Sequence, residues 1–156
     1  MNIIGIIPAR MGSTRLPGKP MKKIHGMPMI GHCYHRTAIA LGVDATYVAT
    51  CDIEIAKYID SIGGHAIMTS NTHTRATTRT AEALEKIEQE TGKKVNIVVM
   101  VQGDEPLILP ETIKKVVPEF EDESVSIVNI MSRLATEEAF KDNNNVKVVV
   151  ANNNDA

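Results

Sequence analysis

The chain has 156 residues, 43% of them hydrophobic and 23% charged, which excludes a disordered protein and predicts a single domain over residues 1–156. A formal net charge of −2 and an aromatic content of 3% argue against a protein that binds nucleic acid, because such proteins need a basic face and stacking platforms. The N-terminal apolar run is too short for a signal peptide or a membrane span, so we expect a cytoplasmic protein in which Cys33 and Cys51 are reduced.

Apolar runs of strand length alternate with segments of helical period along the chain. The predicted strands, in order, are Asn2–Ile7, Ala45–Thr50, Ala66–Met68, Ile97–Val101, Ser126–Met131 and Val146–Val150. The predicted helices cover Pro28–Leu41, the residues from Asp52 to Ile62, about Thr78–Thr91, a segment that begins at Pro110, and Thr136–Phe140. This alternation implies right-handed βαβ crossovers and therefore an α/β fold with a mainly parallel sheet.

The same pattern predicts details of the helices. Asp52 stands where its side chain can cap the second helix, because an aspartate oxygen accepts hydrogen bonds from the first free N–H groups. The period of the third helix predicts that Ala81, Leu84 and Ile87 face the core.

The first predicted strand meets Pro8 and continues into a basic loop that contains glycines. Residues Ile6–Pro20 read IIPARMGSTRLPGKP, with Gly12 and Gly18 set among cationic side chains. These cations are Arg10, Arg15 and Lys19. Glycines let backbone N–H groups approach phosphate oxygens, and arginine and lysine neutralise the charge. The segment matches neither GxGxxG nor GxxxxGK[ST], so it predicts a longer phosphate loop, with an ordinary basic surface loop as the alternative.

The fourth predicted strand also ends in a polar loop, Gln102–Pro106. Ligands of parallel sheets bind beyond the carboxyl ends of the strands, so this loop is expected to lie near the phosphate loop. A carboxylate there, Asp104, suits Mg²⁺, which takes few protein carboxylates and completes its shell with water and phosphate oxygens. The alternative is a tight turn built on the Gly-Asp pair.

A third polar segment, His73–Glu82, is rich in threonine and arginine and enters a predicted helix. Free N–H groups at a helix N-terminus can bind an anion or the edge of a base. The alternative is a solvated turn in which threonines cap the helix.

Together these segments resemble the 3-deoxy-manno-octulosonate cytidylyltransferases, the CMP-Kdo synthetase family. The resemblance rests on IIPARMGSTRLPGKP and VQGDEP, with GMPMI at 26–30, VAT at 48–50 and NVKVV at 145–149 in the same order. It implies a Rossmann-like three-layer α/β/α fold of the nucleotide-diphospho-sugar transferase type. The implied reaction transfers CMP from CTP to the acid sugar Kdo, releases pyrophosphate, requires Mg²⁺ and serves lipopolysaccharide or capsule synthesis.

The resemblance also implies roles for individual residues. The triphosphate would be held by Arg10, Gly12, Ser13, Arg15 and Lys19. Pro8 and Ala9 would border the cytosine, and Arg79 would help to read the nucleotide. Gln102 would touch the acid sugar and Asp104 would ligate Mg²⁺. Catalysis would fall to Lys19 at the α-phosphate, together with Arg10 and Asp104.

Two departures from the family pattern leave alternatives open. Ala76 and Thr78 stand where the family commonly has glycine and an acidic residue, so the substrate could be a nonulosonic acid or 8-amino-Kdo. The family's chains also continue beyond residue 156, and we expect this chain to lack their C-terminal part for dimerisation and sugar binding. A full-length protein is expected to be a homodimer, and the non-enzyme alternative is a fragment that binds nucleotide without turnover.

Overall fold

A computed structural model describes residues 1–12, 16–42 and 44–149, which divide into two compact units, 1–117 and 118–149. The strands are β1 (Ile3–Ala9), β2 (Lys23–Ile24), β3 (Met27–Pro28), β4 (Thr46–Thr50), β5 (His65–Met68) and β6 (Ile97–Met100). The helices are α1 (Met29–Leu41), α2 (Ile53–Ser61), α3 (Ala76–Thr91), α4 (Pro110–Lys115) and α5 (Glu137–Lys141), with 3₁₀ turns at Lys19–Met21 and Pro118–Glu121. Among these described helices, none is long and apolar enough to cross a membrane.

The first unit is built on a parallel sheet with the strand order β5-β4-β1-β6. The chain runs outward from β1 through β4 to β5 and then crosses back to place β6 on the other side of β1. The order therefore reverses between β1 and β6, and a crevice opens there beyond the carboxyl ends of the two strands. The predicted parallel α/β sheet is confirmed, and its switch point joins the loops that follow β1 and β6.

Helices cover both faces of this sheet. Ile4 and Ile6 of β1 pack in one buried cluster with Ala83 and Ile87 of α3. Gly5, between them, faces α1 so closely that an added Cβ would lie 2.6 Å from Thr37 Cγ2. Because successive strand residues point to opposite faces, α1 and α3 lie on opposite sides of β1. The three-layer α/β/α prediction is thus confirmed.

Two strand predictions are wrong within the described residues. Residues 126–131 and 146–149 form no strand, and Val150 lies outside the described residues. Both segments are apolar, but Ile127 and Val146 are 79% and 89% exposed. A strand needs a neighbour to satisfy its backbone groups, and the second unit contains no described strand that could pair with them. Its regular element is α5, which Thr136 caps by accepting from the Ala139 N–H at 3.1 Å.

The inward face of α3 also differs from the prediction. Ala81 is exposed, whereas Ala83 and Ile87 are buried and Leu84 is half-buried. The buried face follows Arg79, Ala83 and Ile87 at intervals of four residues. Sequence periodicity missed it because its first member is an arginine, which the apolar pattern does not count.

Candidate functional site

A cleft with a volume of about 290 Å³ lies at the switch point between β1 and β6. Its walls come from the segment after β1, the loop after β6, and the junction between β5 and α3. The lining residues are Pro8, Ala9, Arg10, Gly12, Lys19, Pro20, His73, Thr74, Arg75, Ala76, Arg79, Gln102, Gly103 and Asp104. The three polar segments that the sequence singles out therefore meet in one place.

Most of the predicted site residues line this cleft. They are Pro8, Ala9, Arg10, Gly12, Lys19, Arg79, Gln102 and Asp104. Ser13 and Arg15 lie outside the described residues. Sequence reasoning did not select Pro20, Gly103 or Arg75, although Arg75 belongs to the Thr/Arg-rich segment already noted as an anion site. Arg75 could have been selected from its place just before the predicted helix, where free N–H groups and a cation can bind an anion.

The lining is cationic. Within the described lining, Arg10, Lys19, Arg75 and Arg79 face a single carboxylate, that of Asp104. A concave site lined by one sign of charge concentrates ions of the opposite sign. The cleft is therefore suited to a polyanion such as a nucleoside triphosphate.

Lys19 and Asp104 form an ion pair across the cleft, with Nζ 2.6 Å from Oδ2. Gly18 precedes Lys19 in the left-handed conformation, with φ of 68°, and so begins the 3₁₀ turn that carries the lysine. The two side chains are 30% and 46% exposed. A pair this exposed is screened by water and contributes little stability, so a ligand can separate it at small cost.

Gly103 keeps the loop after β6 close to the end of β1. An added Cβ at this glycine would lie 2.7 Å from the Pro8 carbonyl oxygen, which is backbone and cannot easily move away. Gly12 differs, because an added Cβ there would meet no described atom within 4 Å. Gly103 is thus required by packing, while at Gly12 no described atom stands in the way of a ligand that approaches the backbone.

Asp52 holds the start of the phosphate loop rather than the helix it precedes. It occupies the N-cap position of α2, but its side chain makes no capping hydrogen bond. Its Oδ2 instead accepts from the Met11 N–H at 2.8 Å. The prediction that Asp52 caps the helix is therefore wrong, because the neighbouring loop offers a competing donor from 41 residues away.

Arg79 is a buried cation without an acidic partner in the part of the chain that the structure describes. The residue is 3% exposed. Its Nη1 donates to Thr69 Oγ1 and to the Ser70 carbonyl oxygen, the latter at 3.2 Å. Its Nη2 is buried and has no hydrogen-bond partner among the described atoms. An unpaired buried donor is costly, and a ligand acceptor in the cleft would satisfy it.

A further wall of the cleft comes from residues 73–75, which belong to the segment 69–75, here named the β5–α3 loop. The Arg10 guanidinium reaches it, donating from Nη1 to the His73 carbonyl oxygen at 3.4 Å. Glu82 of α3 fastens it through Ser70 and His73. Hydrogen bonds from Lys86 and the Ser70 N–H hold the pKa of the Glu82 carboxyl down, at about 2.

The described residues contain no group of three or more His, Cys, Asp or Glu side chains that could form a metal cage. Asp104 is nevertheless a half-exposed carboxylate at the cleft, and Mg²⁺ is commonly held by one or two carboxylates plus phosphate oxygens. Cys33 and Cys51 are both free thiols, and burial raises the pKa of Cys33 to about 11.

A family model of cytidylyltransferases matches residues 4–156. The chain belongs to the cytidylyltransferase family. Among curated relatives, it is 46% identical over 136 residues to the 3-deoxy-manno-octulosonate cytidylyltransferase of Bradyrhizobium diazoefficiens, covering 87% of this chain and 54% of that protein. It is 42% identical to the protein of the same name from Thermodesulfovibrio yellowstonii, covering 98% of this chain and 61% of the relative.

A solved structure agrees with these relatives. A CMP:2-keto-3-deoxy-manno-octonic acid synthetase in complex with CTP matches with a TM-score of 0.71 and 38% identity, over 80% of this chain and 49% of the other. The family resemblance inferred from the motifs is therefore confirmed. The chain spans 54–61% of the length of these two curated relatives.

Proposed function

We propose that this chain carries the nucleotide half of a 3-deoxy-manno-octulosonate cytidylyltransferase, which transfers CMP from CTP to Kdo and releases pyrophosphate. The observation that carries the proposal is the cationic cleft at the switch point, in which Arg79 presents a buried donor that no described atom satisfies. The names of the curated relatives and the CTP complex of the similar structure support the choice of nucleotide and sugar. The product would feed lipopolysaccharide or capsule synthesis.

The chemistry joins the anomeric hydroxyl of the acid sugar to the α-phosphorus of CTP, while the bond to pyrophosphate breaks. Transfer of this kind depends on positioning and on neutralising charge more than on covalent help from the protein. Lys19 would bind at the α-phosphate and Arg10 along the triphosphate, since both are cations on the cleft wall. Gly12 leaves room for phosphate oxygens beside the backbone, and Ser13 and Arg15 are proposed to continue the same loop.

The other residues that line the cleft are proposed to contact the base and the sugar. Pro8 and Ala9, at the end of β1, are buried and would border the cytosine. Arg79 would offer its free Nη2 to an acceptor of the nucleotide. Gln102, exposed at the end of β6, would touch the acid sugar.

Mg²⁺ is the proposed metal, and the described residues of the cleft offer it one carboxylate. Asp104 supplies one carboxylate next to the expected phosphate position, which is the donor set that Mg²⁺ uses when substrate phosphates complete its shell. When bound, the ion would neutralise charge on the triphosphate. In the free protein the Asp104 carboxylate pairs with Lys19 instead.

A synthetase for CMP-nonulosonate or 8-amino-Kdo is the second candidate. Ala76 lines the cleft, and the Thr78 hydroxyl is engaged with His73 and with the Arg75 carbonyl. This wall therefore differs from the Gly/acid pattern of the motif, and a different acceptor could be accommodated. Comparing Kdo, 8-amino-Kdo and N-acetylneuraminate as acceptors separates the two enzymes.

The test is calorimetry with CTP and Mg²⁺, followed by an assay of pyrophosphate release with Kdo. We expect measurable CTP binding but poor turnover, because the chain spans 54–61% of its curated relatives. Absence of CTP binding would contradict the proposal. Binding without turnover, also in a longer form of the protein, would favour the non-enzyme alternative. A homodimer and a cytoplasmic location are proposed for the full-length protein.

A further inference from the structure

One face of α3 is occupied by side chains that turn back toward the β5–α3 loop. Arg79, Glu82 and Lys86 are spaced three and four residues apart, which places them one above the other on the helix. Arg79 donates to Thr69 and Ser70, as described above. Lys86 Nζ donates to the Met68 carbonyl oxygen at 2.7 Å and pairs with Glu82 Oε1 at 2.8 Å.

Glu82 makes the most contacts of this face with the loop. Its two carboxylate oxygens accept from the Ser70 N–H at 3.2 and 3.0 Å. Oε2 also contacts His73 Nε2, while the other ring nitrogen of His73 lies 3.0 Å from Thr78 Oγ1. One carboxylate thus fixes the loop at its beginning and near its middle.

Of the two loop residues that Glu82 holds, His73 lies in the part of the loop that reaches the cleft. His73, Thr74 and Arg75 line the cleft, and the His73 carbonyl receives the hydrogen bond from Arg10. Glu82 itself does not line it. Any effect of Glu82 on a ligand must therefore pass through the loop.

We propose that Glu82 is a positioning residue, which holds the β5–α3 loop in the conformation that binds the nucleotide. The inference rests on the proposed function for the identity of the ligand. If the loop leaves this conformation, the fraction of molecules competent to bind falls, and the apparent affinity falls by the same factor. The carboxylate's contacts with Ser70 and His73 oppose this, while Lys86 pairs with the same carboxylate and reaches the Met68 carbonyl at the end of β5.

The chain offers a matched control on the same helix. Glu88 accepts from the Val95 N–H at 2.9 Å and pairs with Lys94 Nζ at 2.6 Å, so it fastens the loop after α3 by the same kinds of contact. That loop contributes no residue to the cleft lining. Glu82→Ala and Glu88→Ala each remove a carboxylate that holds a loop, but only the first loop lines the cleft.

The experiment measures CTP–Mg²⁺ binding by calorimetry and backbone hydrogen exchange for the whole chain and both variants. We expect Glu82→Ala to weaken CTP binding about tenfold, which corresponds to about a tenth of the molecules keeping the loop conformation that binds the nucleotide. We expect Glu88→Ala to leave CTP binding unchanged. Exchange should accelerate at residues 70–75 in the first variant and at residue 95 in the second. Glu82→Gln keeps an oxygen for the Ser70 N–H, so it should recover most of the affinity.

Equal loss of CTP affinity in the two alanine variants, or no loss in either, overturns the inference. Unchanged exchange at residues 70–75 in Glu82→Ala overturns it as well, and this readout needs no ligand. If Glu82→Ala does not fold, Glu82→Leu and Glu88→Leu, which also remove the carboxylate but keep side-chain bulk, replace the alanine pair in the same two measurements. An unchanged chain that binds no CTP contradicts the proposed function, while faster exchange in Glu82→Ala still supports the fastening of the loop.

Discussion

Lys19 and Asp104 lie 85 residues apart in the chain, yet their charged ends are joined at 2.6 Å across the cleft. Each group is proposed to bind something else, the lysine a phosphate and the carboxylate a metal ion. Their mutual contact neutralises both charges while the site is free. If both roles hold, binding of CTP with Mg²⁺ would exchange one ion pair for two, rather than expose an uncompensated charge.

Replacing Lys19 by alanine tests its proposed contact with phosphate. Loss of a charge-assisted hydrogen bond should weaken CTP binding by about tenfold or more, as follows from about 1.5–3 kcal/mol per contact. Lys93→Ala is the control, because Lys93 is an exposed cation outside the cleft lining. Calorimetry with CTP gives both affinities. Equal effects of the two substitutions would remove Lys19 from the site.

Asp104→Asn should separate metal dependence from phosphate binding. The amide is a poorer ligand for Mg²⁺, so the gain in CTP affinity on adding Mg²⁺ should shrink. In EDTA the same variant should bind CTP at least as tightly as the unchanged chain, because Lys19 is released from its partner. A variant that keeps the full response to Mg²⁺ would exclude Asp104 as a ligand.

Gly103 and Gly12 should respond in opposite ways to alanine. At Gly103 the new methyl group would lie 2.7 Å from the Pro8 carbonyl, and this overpacking should cost about 1–3 kcal/mol of unfolding free energy. At Gly12 nothing described lies within 4 Å, so stability should hold while CTP binding weakens. Thermal unfolding and calorimetry on both variants check the pair. A stable Gly103→Ala would mean that the two loops separate easily.

The lowered pKa of Glu82 makes a defined contribution to acid stability. Its carboxyl has a pKa of about 2 when folded, against an ordinary value of 4.5. The unfolded chain therefore binds more protons at this group, and stability rises with pH across this window. The contribution is complete above about pH 4.5 and is lost as the pH falls through 2. Acid titration of unfolding should show a shallower loss in Glu82→Gln over that range.

The two cysteines should differ in reactivity. Burial raises the pKa of the Cys33 thiol to about 11 and leaves its side chain with no exposed surface. Only the thiolate is nucleophilic, so Cys33 should stay unmodified by a thiol reagent at neutral pH until the chain unfolds. Cys51 is partly exposed and should react first. Mass spectrometry of the labelled positions decides it, and rapid labelling of Cys33 in the folded chain would contradict its burial.

The sequence predicts correctly those elements whose signal is local, such as an apolar run for a buried strand or a proline at the start of a helix. The continuous apolar runs gave the four parallel strands, and Pro110 correctly began α4. The strands expected at 126–131 and 146–150 depend on pairing partners, which an apolar run does not specify. The pattern around Asp52 predicts a helix cap because a cap is a local feature, whereas the donor that its side chain accepts from, the Met11 N–H, is distant in the chain.

The candidate site was predictable for similar reasons. Arg10, Lys19, Gln102 and Asp104 lie in the segments that follow two buried strands, and parallel strands bring such segments to one edge of the sheet. That Arg79 Nη2 has no hydrogen-bond partner among the described residues could not be predicted from the sequence, because it depends on which oxygens the β5–α3 loop presents. The contacts of Glu82 with that loop could not be predicted from the sequence either, because they depend on how the loop folds back onto α3.

The walls of the cleft come from stretches of chain that meet only because β1 lies between β4 and β6. A nucleotide held by all three walls would link β1 and β6 to α3. Saturating CTP should consequently raise the melting temperature by mass action, by an amount that follows the logarithm of its concentration. Heat resistance then becomes a reporter of occupancy, usable for screening acceptor sugars without any assay of turnover.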